Sequence, residues 1–183
     1  FYRARYYHPK LGRFLQRDPI GYWADFNLYR YCYNNAVNGI DPWGLKANIS
    51  VDGSKVAIEI PITYTGKGAS DNVIKKFNDG IEKAWGGRKG NYDVQVKVIT
   101  PKRAQDGNII KVPEGNGRAY VVGGDRGNWP AERPGWTAAH EAGHLMGLPD
   151  YYDKVGGGPS HGYEHNIMAV HGGTVEERNI AEI

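Results

Sequence analysis

The sequence predicts an α+β fold. A mixed, mostly parallel β-sheet is backed by one helix, a second helix carries metal ligands, and an aromatic-rich β-hairpin segment precedes them. Three observations predict it. Apolar residues alternate at period two over 55–64 and 92–99, the spacing of half-buried strands. Between them Val73, Ile74, Phe77, Ile81 and Trp85 form a stripe at helical spacing. Residues 140–150 read H-E-x-x-H-x-x-G-x-x-D, which places two imidazoles on one helical face.

The elements follow in order. Residues 1–45 hold 12 of the 22 aromatic residues, broken by Pro-Lys-Leu-Gly, Asp-Pro-Ile-Gly, Asn-Asn and Asp-Pro-Trp-Gly, a pattern of short strands and tight turns. So short a segment does not bury that much aromatic surface alone. It is expected to belong to a larger sheet, and the chain, which opens on Phe1 in mid-pattern, to be a fragment of something longer. From Lys46 the texture changes, dividing the chain into 1–45 and 46–183. In the strand over 55–64, Val56, Ile58, Ile60 and Ile62 share a face, and Pro61 favours an edge or a bulge. Ser70 or Asp71 caps a helix that runs to Trp85, where Gly86-Gly87 ends it. Strands over 92–99, 109–112 and 118–122 follow, then a loop rich in Gly, Pro and Trp. The helix bearing the ligands starts near Trp136 or Thr137.

Composition narrows the classes. At 183 residues the chain is one domain, or a small domain with an appendage. Its single cysteine, Cys32, allows no intrachain disulfide and suits synthesis in a reducing cytoplasm. No signal peptide and no membrane span of about 18 apolar residues is legible. The net charge of +3 resides in residues 1–45, with six Lys or Arg against three acids, so the remainder is formally neutral. Nucleic-acid binding draws on clustered cations, so the neutral remainder argues against a nucleic-acid partner.

His140 and His144, four apart, can point at one ion, with zinc the expected metal. Glu141 sits beside the first ligand, where its carboxylate reaches a water without binding the metal. Gly147 permits a left-handed exit from the helix, Pro149 stops it restarting, and Asp150 swings back as third ligand. Rival third ligands follow: His161, His165 and His171 lie within about 30 residues, and Glu164 lies 20 residues past His144. The 20-residue spacing is similar to that of gluzincin peptidases, whose Glu ligand sits on a helix, and the glycines at 156–158 and 162 argue against one here. Asp153 could orient a ligand histidine, and Tyr163 could support an oxyanion. The expected reaction is peptide hydrolysis: zinc acidifies water, and Glu141 takes the proton and delivers it to the departing amine.

Two resemblances add to this reading. Residues 2–45, with Tyr-Tyr-His-Pro-Lys-Leu-Gly-Arg-Phe-Leu-Gln-Arg-Asp-Pro-Ile-Gly, Asn-Leu-Tyr-Arg-Tyr and Asp-Pro-Trp-Gly-Leu, resemble the end of an Rhs/YD-repeat core, a β-strand shell around a C-terminal toxin. That resemblance implies autoproteolysis between Leu45 and Lys46, served by Asp18 and Asp41. It also implies a polymorphic toxin of interbacterial competition, made in the bacterial cytoplasm and delivered into a target cell by a type VI or similar secretion system. Its expected partners are a protein substrate in that cell, a cognate immunity protein and the rest of the shell.

The metal pattern resembles metzincin peptidases, with Asp150 where most have a third His, as in the snapalysin-like branch. The resemblance implies that Asn166-Ile167-Met168-Ala169 is a Met-turn, with Met168 beneath the zinc. It also implies that an edge strand, 109–112 or 118–122, holds substrate. The expectation is therefore a zinc metalloendopeptidase toxin. A non-catalytic, zinc-stabilised binding module ranks second and a nuclease toxin third.

Overall fold

The computed structural model describes residues 6–16, 29, 47–122, 124–152 and 158–183. Asp18, Asp41, Leu45 and Lys46, expected at a self-cleavage junction, lie outside the described residues, as do Cys32 and Asp153.

Strands β1 (Tyr7–His8) and β2 (Arg13–Phe14) form an antiparallel hairpin with Tyr7 opposite Phe14. Its turn closes where the Leu11 and Gly12 amides both donate to the His8 carbonyl, at 3.0 and 2.9 Å. Gly12 there takes a φ of 63°, a conformation that costs glycine little. Phe14 is buried and meets Tyr7 edge-on, ring centroids 6.2 Å apart.

The remaining strands form one sheet. They are β3 (Asn48–Asp52), β4 (Lys55–Thr65), β5 (Gly87–Lys89), β6 (Tyr92–Ile99), β7 (Asn108–Lys111), β8 (Tyr120–Val122) and β9 (Arg126–Asn128). The strand order is β5-β6-β4-β7-β9-β8, with β3 paired to β4. Among the described residues three α-helices accompany it: α1 (Asp71–Trp85), α2 (Gly135–Leu145) and α3 (Glu177–Glu182). The fold is thus α+β with a mixed sheet.

The sheet is not mostly parallel, which corrects the expectation. Pairs β4–β6, β4–β7 and β7–β9 are parallel, and β3–β4, β5–β6 and β8–β9 are antiparallel. The strands that pair only antiparallel, β3, β5 and β8, are short. Two of them join their partners through two-residue turns, Gly53-Ser54 and Gly90-Asn91, with Gly53 at φ 59° and Gly90 at φ 58°. Turns so tight dictate antiparallel pairing, whereas parallel neighbours need a long crossover. Here that crossover is α1, between β4 and β6.

Pro61 lies inside the central strand β4 rather than at an edge. Along one side of β4, β3 pairs up to Glu59 and β7 begins at Ile62. Pro61 falls in the interval between them, so its missing N–H leaves no ladder bond unmade on that side. Its carbonyl is not idle: the buried Asn108 side-chain amide donates to it at 2.8 Å.

Val56, Ile58, Ile60 and Ile62 are buried as their alternation predicts, each contributing about 1.5–3 kcal/mol. Helix α1 buries Phe77, Ile81 and Trp85. Ser70 holds the N-cap position but makes no capping hydrogen bond through its side chain. Helix α2 is located by its contact with α1, where a Cβ on Gly80 would strike the Gly135 backbone. The Trp85 indole donates to the Ala139 carbonyl at 2.8 Å one turn further on. No helix among the described residues is long and apolar enough to cross a membrane.

Candidate metal centre

The site begins with the packing of α2. Ala138, Ala139, Ala142 and Gly143 are buried, so one face of the helix is pressed into the core and the opposite face carries His140 and His144 toward a cleft. A Cβ on Gly143 would overlap the sulfur of Met168 and crowd Trp85, so only glycine leaves room for Met168 beneath the helix. Met168 is fully buried there.

Both imidazoles are oriented through Nδ1. His140 Nδ1 lies 2.8 Å from the Ile167 carbonyl and His144 Nδ1 lies 2.8 Å from the Leu148 carbonyl. A carbonyl only accepts, so each Nδ1 carries the hydrogen and each Nε2 presents a lone pair. Trp136 stacks on the His140 ring at 5.6 Å and donates its own N–H to the Gly173 carbonyl at 3.0 Å.

Asp150 completes the group because the chain reverses after α2. Gly147 takes a φ of 93°, the left-handed turn expected of it. The Leu148 amide returns to the Gly143 carbonyl at 2.9 Å. Asp150 Oδ1 then stands 3.4 Å from both His140 Nε2 and His144 Nε2. The three residues form a possible metal-binding group, with ligand atoms within 4.8 Å of one another. A separation of 3.4 Å is poor for a hydrogen bond, and Oδ1 is buried with no hydrogen-bond partner. It matches the edge of a tetrahedron whose centre lies at zinc–ligand distances of about 2.0–2.1 Å, an edge of about 3.3–3.4 Å. The residues present therefore fit a small divalent ion.

Glu141 Oε2 is also buried without a partner. Burial pushes its carboxyl pKa up, with Asp150 adding to the rise and His140, His144 and Arg118 opposing it. Burial likewise opposes the charge on Asp150, but the two facing imidazoles and the Tyr152 hydroxyl, at 2.9 Å from Oδ2, hold it well below the usual carboxylate range. Burial lowers the His144 pKa, and Asp150 and the Leu148 carbonyl outweigh that and raise it.

The cleft beside this group has a volume of about 650 Å³. Its walls include Arg118, Tyr120 and Val121 on one side and Pro149 and Tyr152 on the other. Of the two strands expected as a ledge, β7 is internal, paired on both sides, while β8 pairs only with β9 and lines the cleft.

The remaining candidates stand apart. His161, Glu164, His165 and His171 are exposed and belong to no metal-binding group among the described residues. Tyr163 stacks on Tyr151 at 4.2 Å under the Arg178 guanidinium and does not line the cleft. Tyr152 occupies the place that Tyr163 was expected to take. Sequence reasoning also passed over Arg118, Trp136 and the carbonyls of Ile167 and Leu148. A carbonyl has no sequence signature, but the aromatic run after Asp150 was a signal for Tyr152.

From residue 47 onward the described residues thus build an α+β fold with a candidate His/His/Asp metal centre open to a cleft. The chain is similar to double-stranded DNA deaminase toxin A of Burkholderia cenocepacia (strain H111), 35% identical over 63 residues, which cover 34% of this chain and 4% of that protein. It is also similar to two putative uncharacterized proteins of Escherichia coli (strain K12), YibJ and YlbH. These are 49% and 54% identical over 43 residues, 24% of this chain and 18% of each relative. The chain therefore spans only a small part of the curated relatives it matches. No family model matches it, and no solved structure does.

These findings correct the reading of the chain as an Rhs/YD-repeat core followed by a metzincin-like peptidase. The named relative is a toxin directed at DNA, so the assignment as a zinc metalloendopeptidase, the protein substrate and the exclusion of nucleic acid are overturned. The physical reason lies in what H-E-x-x-H encodes. Two imidazoles and a carboxylate on one helix are a metal-binding pattern, and such a pattern does not specify the substrate. Net charge misled for a related reason. It averages over the whole domain and does not specify the charge that a partner meets locally.

Proposed function

We propose that this chain is the effector end of a delivered toxin, and that its cleft hydrolyses a bond in nucleic acid with the help of one zinc ion. The observation that carries the reading is the group of His140 Nε2, His144 Nε2 and Asp150 Oδ1 beside the buried, unpartnered Oε2 of Glu141. The similarity to a DNA deaminase toxin supports the substrate class and the toxin role. The division into 1–45 and 46–183, with a cut after Leu45 served by Asp18 and Asp41 and releasing Lys46 as the new terminus, belongs to the same proposal.

His140, His144 and Asp150 would hold the ion, which when bound supplies the Lewis acidity that makes water nucleophilic near neutral pH. Glu141 takes the proton of that water and returns it to the leaving group. Met168 and Trp136 keep the ligand helix and the His140 ring in place. In the reaction the similarity favours, water adds to the carbon bearing an exocyclic amine and ammonia leaves.

One observation favours strand hydrolysis as a second reading. Zinc deaminases hold their ion with a His and two Cys or three Cys, and this chain has a single cysteine.

The test is incubation of the zinc-loaded chain with single- and double-stranded DNA and RNA, followed by sequencing for base conversion and electrophoresis for scission. The expected result is a change that the Glu141→Gln variant loses while still binding zinc. Nucleic acid left intact on both readouts, with zinc bound, overturns the proposal.

A further inference from the structure

Helix α3 lies away from the cleft, yet its side chains close on both strands of backbone that orient the metal ligands. Asn166 and Asn179 are fully buried. The Asn166 side-chain amide donates to Asn179 Oδ1 and to Glu176 Oε2, each at 2.9 Å. Asn166 Oδ1 accepts from the Met168 amide at 2.9 Å, and Asn179 Oδ1 also accepts from the Glu176 amide at 2.9 Å. Asn179 returns a longer bond to Asn166 Oδ1 at 3.3 Å. These contacts pin the turn that holds Ile167, and the Ile167 carbonyl sets the His140 ring. The second strand is pinned from the far end of α3, where the Tyr151 hydroxyl donates to Glu182. The Tyr151 amide donates to the Met168 carbonyl at 2.9 Å, one residue past Asp150.

We propose that α3 is a positioning element for the metal centre. Through the buried Asn166–Asn179 pair it fixes the carbonyl that aims His140, and through Tyr151 it fixes the backbone beside Asp150. A buried amide pair is a demanding way to dock a six-residue helix, since a mismatch leaves polar groups unsatisfied. An apolar contact would hold α3 down without specifying its rotation or register. The amide pair specifies both, and the ligand geometry inherits that precision. The inference rests on the metal reading of His140, His144 and Asp150 but on no particular substrate.

The test compares zinc affinity, by competition with a chelating dye, in wild type, Asn179→Ala and Ile180→Ala. Ile180 is buried on the same helix, so its truncation removes docking contact without touching the amide pair. The expected result is an affinity about tenfold weaker in Asn179→Ala, the scale of outer-shell losses, and unchanged in Ile180→Ala despite a lower melting temperature. Wild-type affinity in a folded Asn179→Ala, or equal weakening in both variants, overturns the proposal. A measurement on wild type covers the case in which Asn179→Ala does not fold. Because coupling is reciprocal, zinc must slow hydrogen exchange at the Met168, Glu176 and Asn179 amides, and unchanged exchange there overturns the proposal as well. Absence of zinc binding by wild type removes the metal reading itself, an outcome distinct from the others.

Discussion

His144 Nε2 and Asp150 Oδ1 stand 3.4 Å apart although they lie six positions apart in sequence and the helix ends between them. The left-handed Gly147 reverses the chain, and the Leu148 carbonyl that the reversal brings back aims the His144 ring at Asp150. The same few residues therefore supply one ligand and orient another. Replacing Asp150 with Ala is expected to weaken zinc binding by more than the roughly 100-fold that outer-shell losses reach. The loss should show in dye competition while the fold persists by circular dichroism. An unchanged affinity would assign the third ligand elsewhere.

Gly143 offers a test of packing beneath the site. In an exposed helix interior Gly→Ala is worth about 1 kcal/mol in favour of Ala. Here the new methyl meets Met168 and Trp85 in a filled core. Gly143→Ala is therefore expected to destabilise by about 1–3 kcal/mol, as overpacking does. Urea denaturation with an unchanged slope measures it, and a gain in stability would show that Met168 has room to move.

Arg118 lines the cleft and makes no ion pair among the described residues. If the substrate is nucleic acid, Arg118→Gln should weaken its binding across sequences and reduce the slope of log K against log salt by about 1. Zinc affinity should not move. An unaltered salt slope would remove Arg118 from the phosphate path.

The pH dependence of stability should change sign with metal. His144 has a raised folded pKa, so its contribution is complete below the ordinary 6.5 and is lost as pH rises through the folded value. Asp150 has a depressed one, so its contribution is present above the ordinary 3.8 and is lost as pH falls through the folded value. Metal-free protein thus gains from both between about pH 4 and 6.5 and loses on the alkaline side. Zinc requires neutral imidazoles, so the zinc-bound protein should gain stability as pH rises through the same range. Melting curves from pH 4 to 9 would show stability with zinc rising toward about pH 6.5 and then levelling, and stability with chelator falling above it, and parallel curves would refute the metal site.

Much of this was legible from residue types alone. The helix over Asp71–Trp85, the strands Lys55–Thr65 and Tyr92–Ile99, and the left-handed Gly147 follow from periodicity and from the special freedom of glycine. These are local signals, and local energetics carry them. The strands that escaped notice, β3, β5 and β9, are short and polar or glycine-bearing, Asn-Ile-Ser-Val-Asp, Gly-Arg-Lys and Arg-Gly-Asn, and show no apolar run. What forms them is the partner across the ladder.

Local chemistry in the chain specified a helix with two imidazoles and a carboxylate on one face, a reversal after it, and an acid within reach. Folding decided the rest. It brought Asp150 Oδ1 to 3.4 Å from both imidazoles, left Glu141 Oε2 without a partner, and recruited Ile167 and Asn179 from segments far along the chain. It also exposed one edge strand to the cleft and buried the other. The division has a physical cause: spacing along a helix is set by its own geometry, whereas contacts between distant segments exist only once a common core holds them together.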